Sequence, residues 1–184
     1  MITQIDVRSV LARLGSDQRD LVTRPTGRAV RSSIEEELAV LAEAAGYAVV
    51  VLDFTDVRLM DLSCADEIVA KLLQAWVGPA APGRVCFLVR GLDDHQIEDV
   101  EHVLQRQQLA LVAESGGVLR LIGEVADPWR IAFERLAERG RAAAEDLAAD
   151  LAWPLDDVRS ALDQLALRSL VLEESGQYLP PCAA

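Results

Sequence analysis

The residues best placed to do chemistry lie between Asp53 and Glu67. Asp53 ends an apolar run from Ala48 to Leu52, and Asp61, Ser63, Asp66 and Glu67 crowd the start of a helical pattern carrying Ile68, Val69, Leu72 and Leu73. A serine at a helix start caps it by accepting a backbone N–H, and an acidic residue three positions on comes close to a capping box. Ser63 and Asp66 have that spacing. Asp66 and Glu67 oppose any further negative charge beside Ser63, and only the helix N-terminus favours one. A second cluster, Thr23 to Arg31, is the one basic stretch. Arg28 and Arg31 are spaced to share a helix face. Together with Arg24 and the backbone of Thr26 and Gly27, they suit an anion such as a phosphate. The stretch lacks the Gly and Lys spacing of a P-loop. The competing expectation is that these arginines pair with Asp17, Asp20 or the run Glu35 to Glu37, or meet an acidic partner.

Other reactive side chains do not assemble into a site. His95 and His102 are seven residues apart, about 10 Å along a helix, too far to share one metal without further ligands. The three cysteines, Cys64, Cys86 and Cys182, are far apart and lack C-x-x-C or zinc spacing. No disulfide framework and no metal site is read from them, and Cys64 and Cys86 are expected to be buried small hydrophobes. No nucleophile, base and orienting acid fall into a recognisable arrangement. The chain is therefore read as a non-enzyme with no cofactor and no metal.

The elements that must position these groups follow from hydropathy and turn signals. The sequence predicts short strands at Gln4 to Val7, Leu21 to Thr23, Tyr47 to Phe54, Arg84 to Val89, Leu109 to Ala113 and Val118 to Ile122, the last two joined by Ser115-Gly116-Gly117. Helical patterns cover Arg8 to Leu14, a segment capped by Ser32 or Ser33 and stopped by Gly46, Cys64 to Val77 before Gly78-Pro79, and Leu92 to Leu104. The near-continuous apolar run at Tyr47 to Phe54 marks a central strand covered on both faces. The fold class is α/β, a mixed sheet with helices packed on it. The character changes at Asp127-Pro128, where a boundary is placed between residues 1–127 and 128–184. The second part reads as three helices, Trp129 to Glu138, Ala142 to Ala152 and Leu155 to Leu167, then a hairpin around Ser175-Gly176.

The chain has 184 residues, 51% hydrophobic and 26% charged, with a formal charge of -12. That balance describes a soluble globular protein and argues against one that depends on covering phosphates with basic residues. No apolar run approaches the roughly 20 residues of a membrane span, and the start lacks a signal-peptide pattern. The expected location is the cytoplasm.

The stretch D-F-T-D-V followed by S-C-A-D-E-I resembles the centre of a STAS domain, and more closely the STAS-like regulatory domains whose motif runs D-F, then V, then S-F-A-D-E. The resemblance implies a bacterial regulatory module that binds a partner protein, an anti-sigma factor or a kinase-like ATPase, through Asp56, Asp61, Ser63, Asp66 and Glu67. In anti-sigma factor antagonists the matching turn is Asp-Ser-Ser-Gly, and a partner kinase phosphorylates a serine there. Here Leu62 replaces the first serine and Cys64 the glycine, so only Ser63 can accept the phosphate.

The second part resembles a bacterial winged helix-turn-helix, a small α+β domain, through R-A-A-A-E-D-L-A-A-D-L-A-W-P-L-D-D-V-R-S-A-L-D-Q-L. That fold implies DNA, but residues 130 to 184 hold six arginines against ten acidic residues, a net of -4. Phosphate binding needs several positive contacts, and only a cluster of Arg139, Arg141, Arg159 and Arg168 would supply them. Three expectations stand: a non-enzymatic protein-binding regulator; a DNA-binding transcriptional regulator; and a scaffold, with a homodimer through the sheet edge at residues 109–122.

Overall fold

A computed structural model of the chain describes residues 1–16, 19–42, 47–78, 81 and 83–181. Asp17, Gly46, Pro79 and Cys182, to which the sequence assigned roles, lie outside the described residues.

Five strands form one mostly parallel sheet: β1 (Ile2–Asp6), β3 (Tyr47–Asp53), β5 (Arg84–Arg90), β6 (Ala110–Ser115) and β7 (Val118–Gly123), side by side in that order. The first four run parallel, and β7 returns antiparallel from β6 through Gly116 and Gly117, both at positive φ. The strand order steps steadily in one direction. Crossovers between parallel strands are right-handed, so such stepping puts every connecting helix on one face of the sheet. Helices α1 (Val7–Arg13), α2 (Arg24–Ala42), α3 (Leu62–Ala65), α4 (Lys71–Trp76) and α5 (Asp94–Arg106) all bury side chains in one cluster on that face.

The apolar strands feed two cores at once, because successive side chains point to opposite faces. Val50, Leu52, Val85, Phe87, Val89, Leu111 and Ala113 join the helices of the first face. Val49, Val51, Cys86, Leu88, Ala110, Val112 and Leu121 point the other way. With no crossover helix on that side, it is covered by the end of the chain. Helices α6 (Asp127–Arg139), α7 (Ala144–Leu151) and α8 (Leu155–Leu167) and the hairpin β8 (Leu172–Glu174) and β9 (Gln177–Leu179) bring Phe133, Leu136, Leu147, Leu162 and Leu165 into the same cluster as those strand residues. The boundary expected at residue 127 falls at the first residue of α6, and the segments on either side of it share a core. A single antiparallel bridge between Ala142 and Tyr178 ties the segment before α7 to the hairpin.

Two local expectations are corrected. Helix α2 begins at Arg24, and Ser32 and Ser33 lie in its interior rather than at its cap. Pro25 stands in the first turn, where its missing N–H costs nothing. Gly27 is a helical residue at a close contact: a Cβ there would lie 3.0 Å from Cys64 Cα and 3.1 Å from Glu67 Cβ. The helix expected from Cys64 starts instead at Leu62, and its cap is Asp61, not Ser63. A π-helical turn, Asp66–Ala70, continues it into α4, with right-handed helical dihedrals at each junction. Such turns recur at functional sites.

Candidate functional site

Two helix starts meet at the loop singled out by sequence. Asp61 has extended backbone and accepts from three donors: the Cys64 N–H at 2.8 Å, the Ser63 hydroxyl at 2.7 Å and the Thr23 N–H at 2.8 Å. Burial alone would raise the Asp61 carboxyl, but these donors outweigh it and hold it below the usual carboxylate range. One side chain therefore caps α3 and ties it to the entry of α2. Thr23, at φ 74°, also accepts the Cys64 thiol on its carbonyl at 3.2 Å. Burial, then the nearby Asp61, pushes that thiol up to about 12. Cys64 is thus a packed thiol with no thiolate chemistry at neutral pH.

One helical turn on, Glu67 is fully buried. It takes Arg24 Nη1 at 2.9 Å and Lys71 Nζ at 2.5 Å on Oε1, and Arg31 Nη2 at 3.4 Å on Oε2, with Arg28 Nη2 at 3.9 Å. Lys71, the chain's single lysine, thus sits on the chain's one buried carboxylate among the described residues. Burial would raise the Glu67 carboxyl; Lys71 and Arg24 outweigh it and hold it down. Asp66 is also turned inward, 3.0 Å from Arg24 Nη1 and 2.7 Å from Gln107 Nε2. Hydrogen bonds to Asp66 and Glu67 raise the Arg24 guanidinium in turn.

This geometry corrects two expectations. Glu67 has no surface to offer a partner. Arg24, Arg28 and Arg31 surround a carboxylate of the protein itself, so they do not form a vacant anion site. The sequence placed Arg28 and Arg31 correctly on one helix face, but it looked for their partners nearby. Only Arg31–Glu35, at 3.1 Å, matches that. Asp20 pairs elsewhere: Arg58 donates to both its oxygens, at 2.9 and 2.6 Å, and this hydrogen bonding lowers the Asp20 carboxyl. That pair clamps β2 (Asp20–Leu21) to β4 (Leu59–Met60) in a two-residue parallel ribbon beside Asp61.

Beside the exposed polar residues Thr55, Asp56 and Arg58, this region exposes apolar side chains. Val22, Leu59 and Leu62 are 38%, 53% and 47% exposed, on the ribbon and the first helical residue. Asp56 is exposed and Ser63 half-buried beside them. Sequence reading passed over the three apolar residues, though Leu62 in place of a serine was the signal available.

A second polar group lies at the carboxyl ends of the parallel strands, the usual place for ligands in open α/β sheets. Asp53 accepts from Arg90 Nε and Nη2 at 2.9 and 2.8 Å, from Gln4 Nε2 at 2.8 Å, and from the Thr55 hydroxyl and N–H at 2.6 and 3.0 Å. Burial opposes its ionisation, but Thr55 and Arg90 prevail and lower it. Asp53 is thereby saturated by the protein's own donors. The adjoining crevice, about 550 Å³, is bordered by Arg90, Asp93 and Glu114.

The four arginines considered for DNA are each engaged by the protein's own side chains. Arg139 pairs with Asp150 at 2.7 Å, Arg141 with Glu174 at 3.2 Å and Arg159 with Glu145 at 2.5 Å, while Arg168 stacks 4.7 Å from the Trp129 ring centroid. His95 and His102 are exposed, and among the described residues no group of His, Cys, Asp or Glu is arranged to hold a metal ion. No helix among the described residues is long and apolar enough to cross a membrane. Comparison of the chain with protein-family models, with curated proteins and with solved structures returns no match.

Proposed function

We propose that this chain is a non-enzymatic regulatory protein whose STAS-like part, residues 1–127, docks a partner protein through the β2–β4 ribbon and the start of α3. The observation that carries this reading is the trio Val22, Leu59 and Leu62, exposed on a ribbon held by Arg58–Asp20 and by the Asp61 cap. Exposed apolar side chains on a rigid support are what docking surfaces use, and ordering them at an interface costs little. Asp56 and Ser63 supply the polar rim. By its resemblance, the partner is an anti-sigma factor or a kinase-like ATPase, and Ser63 is the switch position. A phosphate there adds charge beside Asp61, which now accepts the Ser63 hydroxyl. Like charges at that distance repel.

The test compares binding of the purified candidate partner to the wild-type chain, Leu62→Asp and Ser63→Asp. Partner binding lost in Leu62→Asp, with the fold intact by circular dichroism, supports the surface. Unchanged affinity in Leu62→Asp overturns it, and unchanged affinity in Ser63→Asp removes the switch.

The three helices, the Ala142–Tyr178 bridge and the hairpin favour a winged-helix reading of residues 128–184, which keeps a DNA-binding regulator as the second proposal. Against it, Arg139, Arg141 and Arg159 are paired with the unit's own carboxylates. Binding to duplex DNA that falls steeply with salt would establish it. The scaffold reading relies on the free edge of β7. That edge is partly occupied: Arg130 donates to the Leu121 carbonyl at 2.6 Å, and Glu101 accepts the Gly123 N–H at 3.5 Å. Such side-chain cover works against edge-to-edge pairing. Light scattering that shows dimers would restore it.

A further inference from the structure

A cleft of about 390 Å³ opens between the starts of α6 and α8, lined chiefly by Pro128, Trp129, Trp153, Pro154, Asp157 and Ser160. Two of the chain's three tryptophans line it, both partly exposed, while Trp76 is buried in the core of the other sheet face. An indole face attracts a guanidinium or ammonium through its ring quadrupole. The molecule already displays that chemistry here, because Arg168 lies over Trp129.

Charge decides what else the cleft takes. Two helix N-termini point towards it, and each carries roughly half a positive charge, which by itself favours an anion. Three carboxylates stand at those same starts: Asp127 in the first turn of α6, and Asp156 and Asp157 in the first turn of α8. All three are exposed, and none has an ion-pair partner among the described residues. Three full negative charges exceed the two half charges and Arg168 combined. The arginines of residues 130–184 are meanwhile all engaged: Arg130 on a carbonyl, Arg135, Arg139, Arg141 and Arg159 on carboxylates, and Arg168 on the indole. The cleft is therefore aromatic within and acidic at its mouth, and Arg168 on the Trp129 ring offsets only part of that negative charge.

We propose that this cleft receives an arginine or lysine side chain presented by a basic segment of a partner protein. The aliphatic stem lies along Pro154 and Trp153, and the charged head reaches Asp157. Long cationic side chains divide in that way between apolar surface and polar surroundings, and Arg–Trp contacts are frequent binding hot spots. Nucleic acid does not fit, because its phosphates meet the same three carboxylates. The surface is separate from the β2–β4 ribbon, so this proposal stands or falls independently of that one.

The test titrates an end-blocked hexapeptide of alternating glycine and arginine into the full chain, followed by calorimetry and by tryptophan fluorescence. Saturable one-to-one binding is expected, weakened about fivefold in Asp157→Asn and in Trp153→Leu, consistent with the loss of one exposed charge contact or one indole face. Asp157→Asn alters an exposed side chain and leaves the core untouched, so it keeps the test open if Trp153→Leu fails to fold. Glu36→Gln, on the exposed face of α2, serves as the remote control and is expected to bind like wild type. Three results would overturn the proposal: no saturable binding, equal weakening by Glu36→Gln and Asp157→Asn, or equal affinity for a glycine–glutamate peptide.

Discussion

The arginines at the start of α2 and those of the C-terminal helices have opposite arrangements. Arg24, Arg28 and Arg31 converge with Lys71 on one buried carboxylate, Glu67. Arg139, Arg141 and Arg159 are each matched singly, across neighbouring elements, to carboxylates that stay in solvent. The first arrangement fixes a helix–helix contact: it places α2 against the π turn that follows α3 and so holds the loop bearing Leu59 and Leu62. The second fixes little, since surface ion pairs contribute at most marginally. What it does is neutralise the arginines and leave Asp156 and Asp157 in excess. Similar side chains therefore serve architecture in one region and surface recognition in the other.

The sharpest way to break the comparison is Glu67→Gln. Removing one partner from a buried charge cluster usually costs about 3–5 kcal/mol. Here Arg24 is half exposed and can turn to water, so a loss at or below the low end of that range, about 2–3 kcal/mol, is expected. Urea unfolding measures it, and a loss below that of an ordinary surface substitution would show that the cluster does not hold α2 in place. Next in size is Gly27→Ala. The new Cβ meets Cys64 Cα at 3.0 Å, and overpacking typically costs about 1–3 kcal/mol. The helix-propensity gain of alanine over glycine, about 1 kcal/mol, works in the other direction. A net loss of up to about 2 kcal/mol is expected from these two values. A stabilised variant would mean that the two helices separate more easily than their contact suggests.

Much of this architecture was legible because it rests on local periodicity. The helix Leu155–Leu167 and the hairpin around Ser175-Gly176 match what was read from pattern alone. The apolar run ending at Asp53 announced a central strand covered on both faces, as Val49 and Val51 against Val50 and Leu52 show. The site was less legible, for two physical reasons. Glycine signals a turn through its backbone freedom, but Gly27 is required for lack of a side chain, and only the position of Cys64 makes that visible. Glu67 lies in an acidic stretch that reads as solvent-facing, while its partners Arg24 and Arg31 are 43 and 36 residues away. No local pattern encodes a contact at that separation. The capping assignment missed by two residues, because Asp61 and Ser63 are both good cap formers and only the Thr23 N–H, 38 residues away, selects Asp61.

The smallest effects separate the two arrangements by their response to pH. The folded-state carboxyl of Glu67 lies below its ordinary value of 4.5. A lowered carboxyl contributes stability that is fully present above the unfolded value and is lost as pH falls through the folded one. Glutamine cannot protonate in this range. The stability gap between wild type and Glu67→Gln is therefore expected to stay constant from pH 7 down to about 5 and to close below 4.5. Glu145 is also lowered, by a backbone hydrogen bond and by Arg159, but it is exposed. Solvent and salt screen it, so Glu145→Gln is expected to shift the unfolding midpoint far less than Glu67→Gln, and the small shift is expected to vanish at high salt. If the two variants instead trace parallel curves, the buried cluster is no stronger than a surface pair. The rigidity attributed to the Leu59–Leu62 surface would then have to come from Arg58–Asp20 and the Asp61 cap alone.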